Sequence, residues 1–80
     1  MSKGVSMYIE ELKNNYPGFE RFIDKLEPRR KHVIRERLKG RTLREVGLDL
    51  NVTPERVRQI EWMAYRHLMR YSRRDRKASL

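Results

Sequence analysis

The feature that most constrains the fold is a pair of predicted helices, each with its own start signal, separated by a three-residue turn. Thr42 begins the segment TLREVGLDL, and Glu45 follows three residues later. This is the spacing of a capping box, in which each side chain satisfies a free backbone amide. Thr53 then precedes Pro54, which suits the first helical position because no N–H is needed there. Between the two segments, Asn51 tolerates the left-handed turn conformation.

The second of these helices is predicted to have two distinct faces. At 100° per residue, its apolar side chains fall within about 80° of one another and are expected to face the core. These are Val57, Ile60, Ala64, Leu68 and Tyr71. The opposite side carries Glu55, Gln59, Trp62 and Arg66, with Arg58 beside them. A short helix, a tight turn and a long helix with an outward polar face predict a helix-turn-helix.

The rest of the chain also shows helical periodicity. An apolar stripe, ended by Pro17-Gly18, consists of Val5, Tyr8, Ile9, Leu12 and Tyr16. A shorter helix carries Phe19, Phe22, Ile23 and Leu26. The segment PRRKHVIRERLKG predicts another helix, with Gly40 as its stop residue. No segment alternates like a strand, so we expect an all-α fold of about five helices.

These patterns predict three parts. Residues 1–25 form an N-terminal amphipathic helical extension, residues 26–72 a helix-turn-helix domain, and residues 73–80 a basic flexible tail. The helix that begins at Pro54 is expected to end near Tyr71, because the residues that follow lack periodicity. In such a tail, the basic side chains would add sequence-independent contacts to phosphates.

The positive charge is concentrated in the second part of the chain. The formal net charge is +9, and the sequence pI is near 10.5. Residues 1–27 hold four basic and five acidic side chains, whereas residues 28–80 hold sixteen basic and six acidic ones. Arg predominates among the basic residues, and its planar donor fork suits phosphates and base edges. This distribution predicts binding to a nucleic acid. Together with the predicted helix-turn-helix, it makes double-stranded DNA the expected partner.

Several other classes of protein are disfavoured. The chain has no Cys, no run of apolar residues long enough to cross a membrane, and no signal peptide, so we expect a cytoplasmic protein. His32 and His67 are isolated, the carboxylates are scattered, and no Gly-rich phosphate loop exists. We therefore expect no enzymatic activity, no cofactor and no metal site.

The segment TLREVGLDLNVTPERVRQIEWMAYRHL resembles region 4 of the sigma-70 family of bacterial RNA polymerase sigma factors. The family pattern runs T-L-x-E-[VI]-G, then V-[ST]-x-E-R-[VI]-R-Q-I-E, then A-L-x-x-L. The similarity covers roughly residues 26–72, and its E-R-V-R-Q-I-E core is highly specific. It implies recognition of the minus-35 promoter element through the major groove, and contact with the flap of the RNA polymerase β subunit.

The resemblance also implies roles for individual residues. Glu55 and Gln59 match positions that contact bases, while Arg56 and Arg58 match positions near the DNA backbone or in local ion pairs. Phosphate contacts map onto Arg29 and Arg37, and the helix start at Thr42 and Leu43 approaches the backbone. The start and the outward face of the second helix, and not the family pattern, add the last members of the expected DNA-binding set: Thr53, Pro54, Trp62 and Arg66.

The chain departs from the family pattern in several places. Pro54 replaces an Arg that reads a guanine in primary sigma factors, and the connection LKGR is short. Trp62, Tyr65 and Met69 add a second apolar stripe, which either packs against the N-terminal helices or forms a homodimer or polymerase contact. Residues 1–25 do not resemble the other sigma domains. We expect either a stand-alone regulator or an excised domain.

Two alternative functions remain open at this stage. One is an adaptor or anti-sigma-like protein that occupies the region 4 site on RNA polymerase, with DNA binding secondary. The other is a dimeric helix-turn-helix repressor, which would select a palindrome.

Overall fold

The computed structural model describes residues 6–78, with side chains described for residues 6–75, and this part of the chain contains five helices and no strand. The helices are α1 (Met7–Asn15), a 3₁₀ helix (Phe19–Lys25), α2 (Pro28–Leu38), α3 (Leu43–Leu50) and α4 (Pro54–Ala78). The predicted all-α fold is therefore confirmed. Val5, assigned above to the first apolar stripe, lies outside the described residues. No helix in the described range is long and apolar enough to span a membrane.

The helices begin and end where local groups satisfy the free backbone. Ser6 caps α1, because its hydroxyl accepts from the Ile9 amide at 3.3 Å. The predicted capping box of α3 is present in both directions, at 3.1 Å for the Thr42 hydroxyl and 2.8 Å for the Glu45 carboxylate. Gly40 follows α2 with a φ of 87°, a left-handed conformation that suits glycine.

Helix α4 packs against every other helix and joins two apolar clusters. The first cluster is the helix-turn-helix core, consisting of Val33, Val46, Val57 and Ile60, with Leu43, Leu50 and Val52 packed against it. The second lies between α4, α2 and the N-terminal helices, and includes Ile9, Leu12, Phe19, Phe22, Ile23, Leu26, Ile34, Ala64 and Leu68. The N-terminal helices therefore support the C-terminal half of α4.

Helix α4 is longer than the sequence predicts. It continues past Tyr71 to Ala78, through most of the segment expected to form a flexible tail. Tertiary contacts explain the difference. The ring of Phe22 lies 6.0 Å from that of Tyr71, and Arg21 forms an ion pair with Asp75. Both partners come from the 3₁₀ helix, so remote residues stabilise a segment that has little helical periodicity of its own.

A buried ion pair connects α1, α2 and α4. The Glu61 carboxylate accepts from the Ser6 hydroxyl at 2.6 Å and from Arg37 Nε at 3.1 Å. Another guanidinium nitrogen of Arg37 donates to the Arg41 carbonyl at 2.7 Å. Arg37 is 7% exposed and Glu61 is 2% exposed. This corrects the expectation that Arg37 contacts phosphate, because its guanidinium is committed to a carboxylate in the interior.

We predict that Arg37→Met lowers the free energy of unfolding by about 3–5 kcal/mol, because the Glu61 carboxylate loses its buried cation. Arg35→Met is the matched control on the same helix. Arg35 pairs with Asp24 at an exposed site, where such a pair contributes about 0–1 kcal/mol. Urea unfolding followed by circular dichroism measures both. Equal losses in the two variants would contradict this account.

The double variant Arg37→Met with Glu61→Leu separates loss of a charge partner from loss of volume. Because it removes both buried charges, it is expected to recover most of the stability.

Candidate nucleic-acid interface

The turn between α3 and α4 has the geometry predicted for a helix-turn-helix. Asn51 ends α3 in the left-handed conformation, with φ 57° and ψ 45°. The Thr53 hydroxyl then accepts from the Arg56 amide at 3.1 Å, and its carbonyl accepts from the Val57 amide at 3.1 Å. The cap and the turn therefore fix the direction in which α4 leaves α3.

Gly47 allows the turn to lie close to α3. Its carbonyl accepts from the Val52 amide at 2.9 Å. A Cβ atom at position 47 would lie 2.6 Å from the Val52 carbonyl oxygen, which is closer than such atoms approach in proteins. The sequence places Gly47 only in a family pattern. Its packing role becomes visible once the backbone of the turn is known.

The first turns of α4 present a continuous exposed surface. The structure brings together there eight of the residues assigned to DNA binding: Thr53, Pro54, Glu55, Arg56, Arg58, Gln59, Trp62 and Arg66. Val57 and Ile60 are buried, as the helical wheel predicts. Thr42 and Leu43 lie half-buried at the start of α3, and Leu43 also packs against the helix-turn-helix core. Arg29 is exposed near the start of α2.

Local pairs organise the polar side chains of this surface. Arg58 Nε donates to the Glu55 carboxylate at 2.9 Å, and Arg56 donates to the Gln59 amide oxygen at 3.2 Å. Arg58 lowers the pKa of Glu55, and Glu55 raises that of Arg58, with a smaller contribution from Tyr8 of α1. Both groups are therefore charged at neutral pH. Because the two residues are three positions apart, the Glu55 carboxylate (an acceptor) and the Arg58 guanidinium (a donor) lie side by side on the surface.

Helix α1 covers only part of the second apolar stripe, which consists of Trp62, Tyr65 and Met69. Tyr65 packs against Tyr8 of α1, with 5.3 Å between the ring centroids, so packing against the N-terminal helices is confirmed for this residue. Met69 is half-buried, whereas Trp62 is 41% exposed. The guanidinium carbon of Arg66 lies 4.9 Å from the centre of the Trp62 ring, a cation–π contact on the outward side of α4.

Ion pairs also hold α3 against α2. Arg41 donates to the Glu36 carboxylate at 2.8 Å and also pairs with Asp49. His32 Nε2 lies 2.9 Å from Asp49 Oδ2, an oxygen that Arg41 also contacts. Arg41, and then His32, lower the pKa of Asp49 to about 2. The sequence does not single out Arg41, because its partners come from two different helices.

Arg44 was also not predicted to belong to the site. It is exposed in the first turn of α3, directly after Leu43. The available signal in the sequence is that Arg44 directly follows Thr42 and Leu43, which the resemblance places near the DNA backbone.

Comparison with known proteins identifies the matching segment. The family model described as Sigma-70, region 4 matches residues 22–70. The RNA polymerase sigma factor RpoD of Helicobacter pylori is 49% identical over 55 residues, covering 61% of this chain and 8% of that protein. The sigma factor SigA of Clostridium acetobutylicum is 45% identical over 58 residues, covering 66% of this chain and 15% of that protein.

The SigA protein of Nostoc sp. is 44% identical over 54 residues, covering 61% of this chain and 14% of the relative. The chain therefore spans only a small part of the length of these relatives. No solved structure matches it.

We predict that Gly47→Ala lowers the free energy of unfolding by about 1–3 kcal/mol, because the added methyl group forces the turn away from α3. Leu48→Ala is the control, since Leu48 is the next residue and is 76% exposed. Urea unfolding of both variants measures the difference. If Gly47→Ala is as stable as the unmodified chain, the close contact at the turn does not constrain the fold.

Proposed function

The chain belongs to the sigma-70 region 4 family, and we propose that it is a transcription regulator that binds a promoter element of the minus-35 type. Domains of this family bind DNA and are not enzymes; in sigma factors they bind the minus-35 element. The observation that supports the proposal most directly is the exposed surface on the first turns of α4, where Glu55, Arg58 and Gln59 lie together.

We propose that these first turns enter the major groove. The groove is about 12 Å wide and admits a helix, and base edges there present distinct patterns of donors and acceptors. The Gln59 amide can bond bidentately to adenine, Arg58 can donate to guanine, and Glu55 can accept from the amino group of cytosine. The Glu55–Arg58 pair orients both side chains before DNA arrives, which reduces the entropy lost on binding.

Phosphate contacts would come from the surface around the groove. We retain Arg29, Thr42 and Leu43 from the expected set, because Arg29 is exposed and the other two lie at the start of α3. Arg44 is added, since it is exposed in the same turn. Arg37 is left out because it pairs with Glu61.

Pro54 implies that the preferred element differs from the usual one. It occupies the first helical position of α4 and has no side-chain donor to offer a guanine. We therefore expect no selection for guanine at the base pair that this position faces.

RNA polymerase is the proposed protein partner. The relatives named above are RNA polymerase sigma factors, and the resemblance to region 4 implies contact with the flap of the β subunit. We propose the same contact here, with residues 26–72 as the binding domain and the helices before it as its support. Retention of core polymerase on the immobilised chain would support this partner. If core polymerase is not retained, the proposed contact with RNA polymerase is wrong.

We predict that the double variant Arg58→Ala with Gln59→Ala relaxes sequence preference at one or two base pairs. Each lost bidentate contact is worth about 1–3 kcal/mol of discrimination against the wrong base. Selection from random duplexes identifies the preferred site, and competition between that site and single-base variants measures the preference.

The matched control is Lys13→Ala with Asn14→Ala. It also removes one positive charge and one amide, from adjacent exposed positions on α1. This control is expected to keep the unmodified preference. An unchanged preference in the Arg58→Ala, Gln59→Ala variant would contradict the proposed reading of bases.

A further inference from the structure

The outward surface of α4 continues well beyond the turns proposed to read bases. Arg66, Arg70 and Arg73, here called the arginine stripe, are all exposed. At 100° per residue they lie within about 80° of Glu55 and Gln59, and therefore on the same side of the helix. They also lie opposite the residues that pack into the core.

The carboxylates nearest to the arginine stripe are engaged elsewhere: Glu55 pairs with Arg58 and Asp75 pairs with Arg21. Between Arg56 and Arg74 the one acidic residue is Glu61, which is buried. Within the described side chains, no member of the stripe forms an ion pair. The stripe is thus a row of three cations spaced about one helical turn apart.

The arginine stripe lies on a helix that is held in place. Arg66 stacks on Trp62, and Arg73 donates to the Tyr16 hydroxyl at 3.3 Å. Tyr71, on the other side of the helix, packs against Phe22. Since the N-terminal helices brace this half of α4, its arginines keep a fixed position relative to the residues proposed to read bases.

We propose that the arginine stripe binds phosphates of the duplex next to the recognised element, without reading its sequence. This inference rests on the proposed function. Gln59 and Arg73 are separated by about 21 Å along the helix, which exceeds the width of the major groove, about 12 Å. A helix that reads bases near Gln59 therefore reaches the phosphates at the groove edge with later turns. Arg suits them because its guanidinium bonds to phosphate in a bidentate manner.

The continuity of the surface favours DNA over an acidic protein as the occupant. The stripe begins one turn after Trp62 and shares its face with Gln59, so a duplex held at Gln59 approaches the stripe along the same helix. The last member, Arg73, lies outside the residues matched by the family model, which end at residue 70. Arg66 and Arg70 lie within that match, so only the contact made by Arg73 would fall outside it.

The test is the salt dependence of DNA binding by the 80-residue chain with Arg70→Gln and Arg73→Gln. Each neutralised phosphate contributes about 0.9 to the slope of log K against log salt, so the double variant is expected to lose about 1.8. The same loss is expected on a selected duplex and on a scrambled one, while the ratio of the two affinities stays unchanged. Far-ultraviolet circular dichroism verifies that the variants fold.

Two further variants complete the experiment. Lys13→Gln with Lys25→Gln also removes two positive charges, but from exposed sites on α1 and the 3₁₀ helix, and is expected to keep the unmodified slope. Arg70→Lys with Arg73→Lys keeps both charges and is expected to restore the slope. A loss no larger than that of the Lys13, Lys25 control would overturn the inference.

The two proposals fail in different ways. If the unmodified chain binds the selected and scrambled duplexes equally, the proposed function fails. If selection is intact but the slope does not depend on Arg70 and Arg73, the proposed function stands and the arginine stripe does not bind flanking phosphates.

Discussion

The buried pair of Arg37 and Glu61 sets the position of the helix on which the rest of the structure depends. It lies where α1, α2 and α4 meet, and the Ser6 hydroxyl that caps α1 donates to the same carboxylate. Removing two charges from water is costly, and their attraction offsets this cost only when the geometry is good. The close-packed apolar side chains of both clusters and this buried pair together fix the rotation of α4. Because Glu61 points inward, Gln59, two residues earlier, points outward.

Helix α4 combines two tasks because two apolar clusters hold it. Its first turns pack on the helix-turn-helix core, and its later turns pack on the N-terminal helices. A helix held at one end would fray at the other, and arginines on a frayed end would lose more entropy when they meet phosphate. The contacts of Phe22 with Tyr71 and of Arg21 with Asp75 keep the later turns ordered. The N-terminal segment would thus support the proposed DNA contact without lying on the surface proposed to read bases.

The features predicted from the sequence are those set by neighbouring residues. The capping box at Thr42, the left-handed Asn51 and the inward position of Val57 depend on spacing within one or two turns, so composition and periodicity reveal them. The features that the sequence misses depend on remote partners. The sequence predicts Arg37 to be an exposed cation, because its buried partner Glu61 comes from a different helix. The sequence predicts a flexible tail after Tyr71, because the contacts that keep this segment helical come from the remote 3₁₀ helix.

On the proposed function, the start of α4 would contribute to sequence specificity and its later turns to affinity for any DNA. Pro54 gives the helix a well-formed start but has no side-chain donor to offer a base, so this first helical position serves structure. Fewer base contacts leave less discrimination and less binding energy. Arginines further along the helix can supply binding energy through phosphates, which every sequence presents. On the proposed function, a helix with no base-reading side chain at its start and with cations along its later turns would bind DNA tightly while discriminating less between sites.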